Sequence, residues 1–184
     1  TTSVQKFAHL PQTAQDGFVV MVKGEPGTAV DDYYLKYFAT ERVWKETAKP
    51  GIISGYDADT MPHVMIRNAD GTFTVKPATW ATRDVGDEDS NPVPTFIGNT
   101  INDVFFFRNR LGFVSGENVI LSKSGEFFQF WMSSALDVLD SDTIDRAVSH
   151  NSISILNHAV PFNEDLLLFS DKTQFIMKVD GVLS

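Results

Sequence analysis

The sequence predicts a mainly β fold, in which an antiparallel β module is followed by β-propeller-like hairpins with at most one or two short helices. Three observations lead to it. From Asp103 to Trp131, short runs of aromatic and β-branched residues alternate with Gly, Asn and Ser clusters, the pattern of an antiparallel meander. None of these runs is long enough for a helix of ordinary length. A weaker copy of the stretch follows from Phe162 to Gly181.

The N-terminal half begins with Val4 and Phe7 and a break at Pro11. Phe18–Val22 is the first apolar run, and Lys23–Gly27 reads as a turn. Tyr33, Leu35 and Tyr37 alternate with Tyr34, Lys36 and Phe38, a strand with two faces. Arg42–Lys45 returns beside it, with Trp44 expected as a buried anchor. After a Gly- and Pro-rich loop, His63–Trp80 reads as a hairpin whose turn is Asn68-Ala69-Asp70-Gly71, with Gly71 taking the positive φ. The polar stretch Thr82–Pro94 holds no apolar run of strand length. It is expected to be a solvated junction, which divides the chain into an antiparallel module over 1–94 and a propeller-blade-like segment over 95–184.

In the second half, Phe105-Phe106-Phe107 forms one apolar run, interrupted by Arg108-Asn109-Arg110. Leu111, Phe113 and Ser115 follow at alternate positions, then a turn at Ser115–Asn118, a strand at Val119–Leu121, and a second turn ending at Gly125. Phe127, Phe128, Phe130 and Trp131 close the pattern. Leu111-x-Phe113-x-Ser115 aligns with Leu166-x-Leu168-x-Ser170 at an offset of 55. With one residue inserted in the turn, Val119-Ile120-Leu121 aligns with Phe175-Ile176-Met177, and Gly125 falls on Gly181 at an offset of 56. A four-stranded propeller blade occupies about 40–50 residues. Asn109, Arg110, Leu111, Phe113, Ser115, Gly125, Leu166, Leu168, Ser170 and Gly181 are therefore the residues that define this fold. Between the two copies, Asp142 followed by Thr143–Ser149 predicts a short capped helix, with Asp145 favouring its dipole.

Composition bounds the function classes. The chain has 184 residues, 42% hydrophobic and 21% charged, ordinary values for a globular protein. A domain of this size buries about 70% of its unfolded surface. No apolar run is long enough for a membrane helix, so this segment is not expected to insert in a bilayer. The start has no secretory layout, and both ends read as cut from something larger. There is no cysteine, which excludes disulfides, thiolate metal sites and a cysteine nucleophile, and fits assembly in a reducing cytosol. The net charge of −9, from 15 basic and 24 acidic residues, disfavours tight binding of phosphate backbones.

Motifs for chemistry fail one by one. Asp87-x-Asp89-x-Asn91 has the opening spacing of a calcium loop, but Pro92 and Gly98 stand where Gly and Glu are needed. Asp137, Asp140, Asp142 and Asp145 form an acidic cluster that reads as capping and solvent exposure, or as paired carboxylates for glycoside hydrolysis. His9, His63, His150 and His158 have no metal-ligand spacing. Ser115 lies outside any nucleophile-elbow pattern, and Gly24 begins no phosphate loop. No catalytic residue, cofactor or metal is expected. Arg108 and Arg110 read as donors to strand-end carbonyls, or as partners of a neighbouring subunit or a phosphate. Arg108, Phe128 and Trp131 are the interface candidates, and the two aromatics read equally as core.

The string from Thr100 to Trp131, together with His158–Lys178, Met61–Val75 and Gly86–Gly98, resembles tail tubular protein B, the nozzle protein family of short-tailed, podovirus-type bacteriophages. The resemblance spans most of the chain. It implies a longer, β-rich, non-enzymatic structural protein with propeller-type domains, located in the phage tail of the virion and assembled in the host cytoplasm. The implied partners are further copies in a hexameric ring, the tail adaptor (tail tubular protein A), tail fibres, and phage DNA that passes without specific binding. The alternative is a carbohydrate-active or sugar-binding tail component acting on host polysaccharide, with Asp140 and Asp142 as its acids.

Two blade-like hairpins cannot close a ring and leave sheet edges unpaired. The isolated chain is therefore expected to associate or to melt at low temperature. A sharp, reversible, concentration-independent melt of a monomer, followed by circular dichroism, would contradict this.

Overall fold

The computed structural model describes residues 2–24 and 32–178. Apart from one 3-10 turn at Phe7–His9, the regular elements among the described residues are β-strands. The chain folds into two compact units: Thr1–Ser54 with Arg83–Pro92 and Met132–Leu139, and Gly55–Thr82 with Val93–Trp131 and Asp140–Ser184.

The first unit is built on a four-stranded sheet in the order β1 (Thr2–Val4), β2 (Val19–Val22), β3 (Tyr33–Phe38) and β4 (Val43–Thr47). β1 and β2 are parallel and the other pairings antiparallel. Val20, Val22, Leu35 and Tyr37 are buried at alternate positions of β2 and β3, and Tyr34 is buried as well. Trp44 is only half-buried, not the buried anchor the sequence implies. Its ring lies 5.1 Å from Tyr37 and 6.4 Å from Phe18, and its Nε1 donates to Pro11 O at 3.1 Å. The polar stretch after Thr82 is not simply solvated either. Asn91 is buried, donating to Val85 O and accepting from Met132 N at 2.9 Å, because a buried amide must find partners on both sides.

The second unit holds three sheets. β5 (His63–Arg67) and β6 (Phe73–Pro77) form a two-stranded hairpin. Its turn places Gly71 at φ +87°, and Asp70 accepts from Thr72 N and Thr72 Oγ1. Those bonds hold the Asp70 carboxyl below its usual range. β7 (Asp103–Phe107), β8 (Arg110–Ser115), β9 (Asn118–Leu121) and β10 (Ile144–Ala147) form an antiparallel sheet in the order 10-9-8-7. β11 (Leu156–Phe162), β12 (Asp165–Ser170) and β13 (Gln174–Met177) form the third sheet, also antiparallel.

Three sequence expectations change here. The helix over Thr143–Ser149 is instead β10, whose four residues pair with β9 from Ile144↔Leu121 to Ala147↔Asn118. A cap stabilises a helix end by about 1 kcal/mol, less than strand pairing plus the packing of Ile144 and Val148 on a core. Phe105-Phe106-Phe107 is not one apolar surface, since Phe105 and Phe107 are buried while Phe106 is 60% exposed. Phe127–Trp131 lies outside the strands, yet Phe130 and Trp131 are buried.

Gly112 sits directly opposite Phe105 and Leu121, and a Cβ there would lie 2.4 Å from the Phe105 ring and 2.8 Å from Leu121 Cδ2. Because both neighbours are buried, Gly112→Ala is expected to destabilise the chain by about 1–3 kcal/mol in urea unfolding. A change near zero would show that the Phe105 ring has room to move.

Candidate functional site

The densest construction in the molecule is the double meander of the second unit, and it is organised around β8. All six residues of β8 are buried. Successive side chains point to opposite faces, so β8 contributes to two cores at once. On one face Leu111 and Phe113, with Ile120 of β9, join Met61, Phe96 and Phe130, with Tyr56, Trp80 and Phe128 packed around them. Phe113 and Phe130 are stacked at 5.3 Å, and Phe96 meets both rings. On the other face Val114, with Phe105, Phe107, Val119 and Leu121, packs against Leu156, Ala159, Leu166 and Leu168 of the second meander.

The second meander repeats the first in register. The pairs from Asp103↔Val114 to Phe107↔Arg110 recur as His158↔Phe169 to Phe162↔Asp165, and Gly112↔Leu121 to Val114↔Val119 recur as Leu167↔Ile176 to Phe169↔Gln174. Every shift is 55 residues. Strand pairing therefore needs no inserted residue in the turn, which corrects the expected offset of 56 for Val119–Leu121. The equivalent faces are used differently. Leu166 and Leu168 pack on the back of the first meander, whereas Leu111 and Phe113 face the aromatic core. The back of the second meander is left with Val160, Phe162, Phe169 and Ile176 exposed.

Polar bonds tie the two meanders together. Asn102 Nδ2 donates to Leu156 O at 2.7 Å, and Leu156 N donates to Gly116 O at 2.8 Å. Asp103 Oδ2 accepts from Ala159 N at 3.1 Å and lies 3.5 Å from His158 Nδ1. Glu117 Oε1 accepts from Ser154 N at 2.8 Å. At the strand ends, Arg108 and Asn109 form a two-residue turn with φ of +46° and +60°, the backbone that suits a tight hairpin. Arg108 Nη2 donates to Glu164 O at 3.2 Å, joining equivalent turns of the two meanders.

Arg110 is the buried cation of this construction among the described residues. Its guanidinium donates to Ser122 O at 2.7 Å, to Asp140 O at 2.6 Å and to Asp142 O. Burial pulls its pKa below the usual arginine range, and the Asp142 charge offsets part of that. Five fixed donors let one arginine serve three carbonyls, one just after β9 and two in the segment ahead of β10. Gly125, at φ +77°, donates its amide to Asn109 O at 2.8 Å and closes the adjoining turn.

The remaining candidates are scattered. Ser115 and Ser170 are both buried at equivalent strand ends, and Gly181 lies outside the described residues. Trp131 is buried, stacked on Tyr56 at 4.9 Å, with its Nε1 donating to Ala81 O at 3.2 Å. Phe128 is half-buried and meets Trp80 edge-on at 5.3 Å. A shallow depression of about 460 Å³ is lined by Asn102, Asn157, His158, Phe169, Ser170 and Gln174, without a carboxylate. Among the described residues no group of three or more His, Asp or Glu is placed to hold a metal ion. Sequence reasoning missed Asn102, Asp103 and Glu117. Their only signal is that they are polar residues placed at strand starts and turns within an apolar pattern.

The bacteriophage nozzle protein family matches residues 1–184 of this chain. The chain is 46% identical over 184 residues to a tail tubular protein, gp12, of Escherichia phage T7. That alignment covers 100% of this chain and 23% of the T7 protein, so the chain spans about a quarter of the curated relative's length.

Replacing Arg110 with Met keeps an apolar stem but leaves three carbonyls short of a donor. Arg110→Met is expected to destabilise the chain by about 3 kcal/mol and to speed hydrogen exchange around Asp140–Asp142. Exchange there unchanged from the wild type would remove Arg110 from the role of clamp.

Proposed function

This chain belongs to the bacteriophage nozzle protein family, and from that premise we propose that it is a structural part of a phage tail nozzle. In this reading it helps form the channel through which DNA leaves the particle, supports tail assembly and genome delivery, and performs no catalysis. It resides in the virion tail. Its partners are further copies of itself in a ring, with hexameric closure implied by the resemblance, and the adaptor and fibres of the tail. The observation that carries the proposal is the family match over every residue of the chain, joined to 46% identity with a protein named for the tail tube. The net charge of −9 agrees with a conduit that DNA traverses without adhering.

We infer further that residues 95–184 form successive blades of a propeller, beside an antiparallel module within 1–94. The support is the stacking order. One face of the second meander packs on the opposite face of the first at a constant 55-residue shift, which is a head-to-tail relation that can be repeated. In this arrangement Arg108 serves the seam between blades, and the exposed Val160, Phe162, Phe169 and Ile176 mark the face for the next one.

The test is electron microscopy of the complete protein and of tails isolated from the phage. The expected image is a closed multi-copy ring at the distal tail with propeller density for this segment. A monomer absent from purified virions would overturn the reading.

A further inference from the structure

Besides the back of the second meander, two further stretches of the chain carry clustered exposed apolar side chains. The first is the β5–β6 hairpin. Met65, Val75 and Phe73 line one of its faces and are 68%, 65% and 59% exposed. Arg67 stands opposite Phe73 on that same face, with no ion-pair partner among the described residues. Among the described residues β5 and β6 pair only with each other, which leaves the outer edge of each strand open. A two-stranded hairpin of this kind is marginal in water unless something covers it.

The second surface is the Leu136–Leu139 loop. Leu136, Val138 and Leu139 are all exposed, Val138 to 75%, with Asp137 between them. The loop is pinned at its base. Glu46 accepts from Ser134 Oγ at 2.9 Å and from Ala135 N at 2.8 Å, and Ser134 Oγ accepts in turn from the amides of Leu136 and Asp137. Backbone held in this way displays its apolar side chains already ordered, which lowers the entropy lost on docking.

We propose that the β5–β6 hairpin of one copy docks on the Leu136–Leu139 loop of the next, making a head-to-tail contact between copies. The proposal rests on the multi-copy reading above and adds the surfaces that meet. The chemistry matches on both counts. An apolar face carrying one unpaired cation meets an apolar segment carrying one anion, so that Arg67 reaches Asp137 while Met65, Phe73 and Val75 cover Leu136 and Val138. The two patches are different surfaces of the same chain. Their union is heterologous, which builds a ring when the rotation between copies closes.

The experiment places the photo-crosslinker benzoylphenylalanine at position 75 of the complete protein, assembled from a mixture of ¹⁵N-labelled and unlabelled copies. The expected crosslink joins labelled to unlabelled chains through a peptide containing Leu136–Leu139. Arg67→Glu and Asp137→Arg should each lower its yield several-fold, and the double variant should restore it. A crosslink within one copy, to another region, or to a different tail protein overturns the contact, as does failure of the double variant to recover. Mass photometry of the same samples separates two failures. Intact multi-copy particles with the crosslink elsewhere sink this contact alone, whereas a protein that stays monomeric sinks the nozzle reading as well.

Discussion

Burial of β8 on both faces is the constraint from which the rest of the second unit follows. A strand covered on one side can alternate apolar and polar residues, but one covered on both sides has no solvent-facing positions to spare. Five of the six residues of β8 therefore have a packing or bonding assignment, while the Ser115 hydroxyl is buried without a hydrogen-bond partner among the described residues. Leu111 and Phe113 enter the aromatic core, Val114 enters the core shared with the second meander, and Gly112 leaves room for the Phe105 ring. Arg110 enters the interior only because three carbonyls meet it. A buried guanidinium without acceptors would forfeit its hydration for nothing. The same bonds fix the Asp140–Asp142 backbone just ahead of β10, which allows that strand to reach β9.

Stacking sheets face to back has a consequence that pairing them face to face does not. Two sheets that meet through equivalent faces form a closed sandwich. Here the second meander presents the face equivalent to Leu111 and Phe113, and the first receives it on the face of Phe105 and Val114. The second meander thus covers the first with one face and leaves its other face exposed. Phe162 and Ile176 lie on the opposite face of the second meander and are 60% and 58% exposed.

The buried polar groups reinforce this mechanical picture. Asn91, Arg110 and Trp131 all direct their polar atoms at backbone carbonyls or amides of the same unit. Two amides of the shallow depression do likewise, with Asn102 bound to Leu156 O and Gln174 to Ser170 O, whereas Asn157 donates to the Asp171 carboxylate. Groups committed to the backbone hold loops that lack ladder bonds, which is how a β-rich fold keeps long connections in place.

By itself the sequence determined the strands and turns that depend on neighbours along the chain. The β2, β3, β5–β6 and β8–β9 segments, the Gly71 and Gly125 turns, and the Leu111/Leu166 repeat were all legible, because β-branched and aromatic runs between turn formers encode local backbone preference. Family resemblance was legible as well, because it rests on long stretches of matching residues and needs no coordinates. What only the tertiary structure decided was which face each strand buries and what lies opposite it. Asp142 and Thr143–Ser149 carry a helix signal that β9 overrides, and Phe106 is exposed between two buried phenylalanines. Pairing register, not the run of apolar letters, set the repeat at 55 across the turn. Burial depends on residues tens of positions away, and no local window contains them.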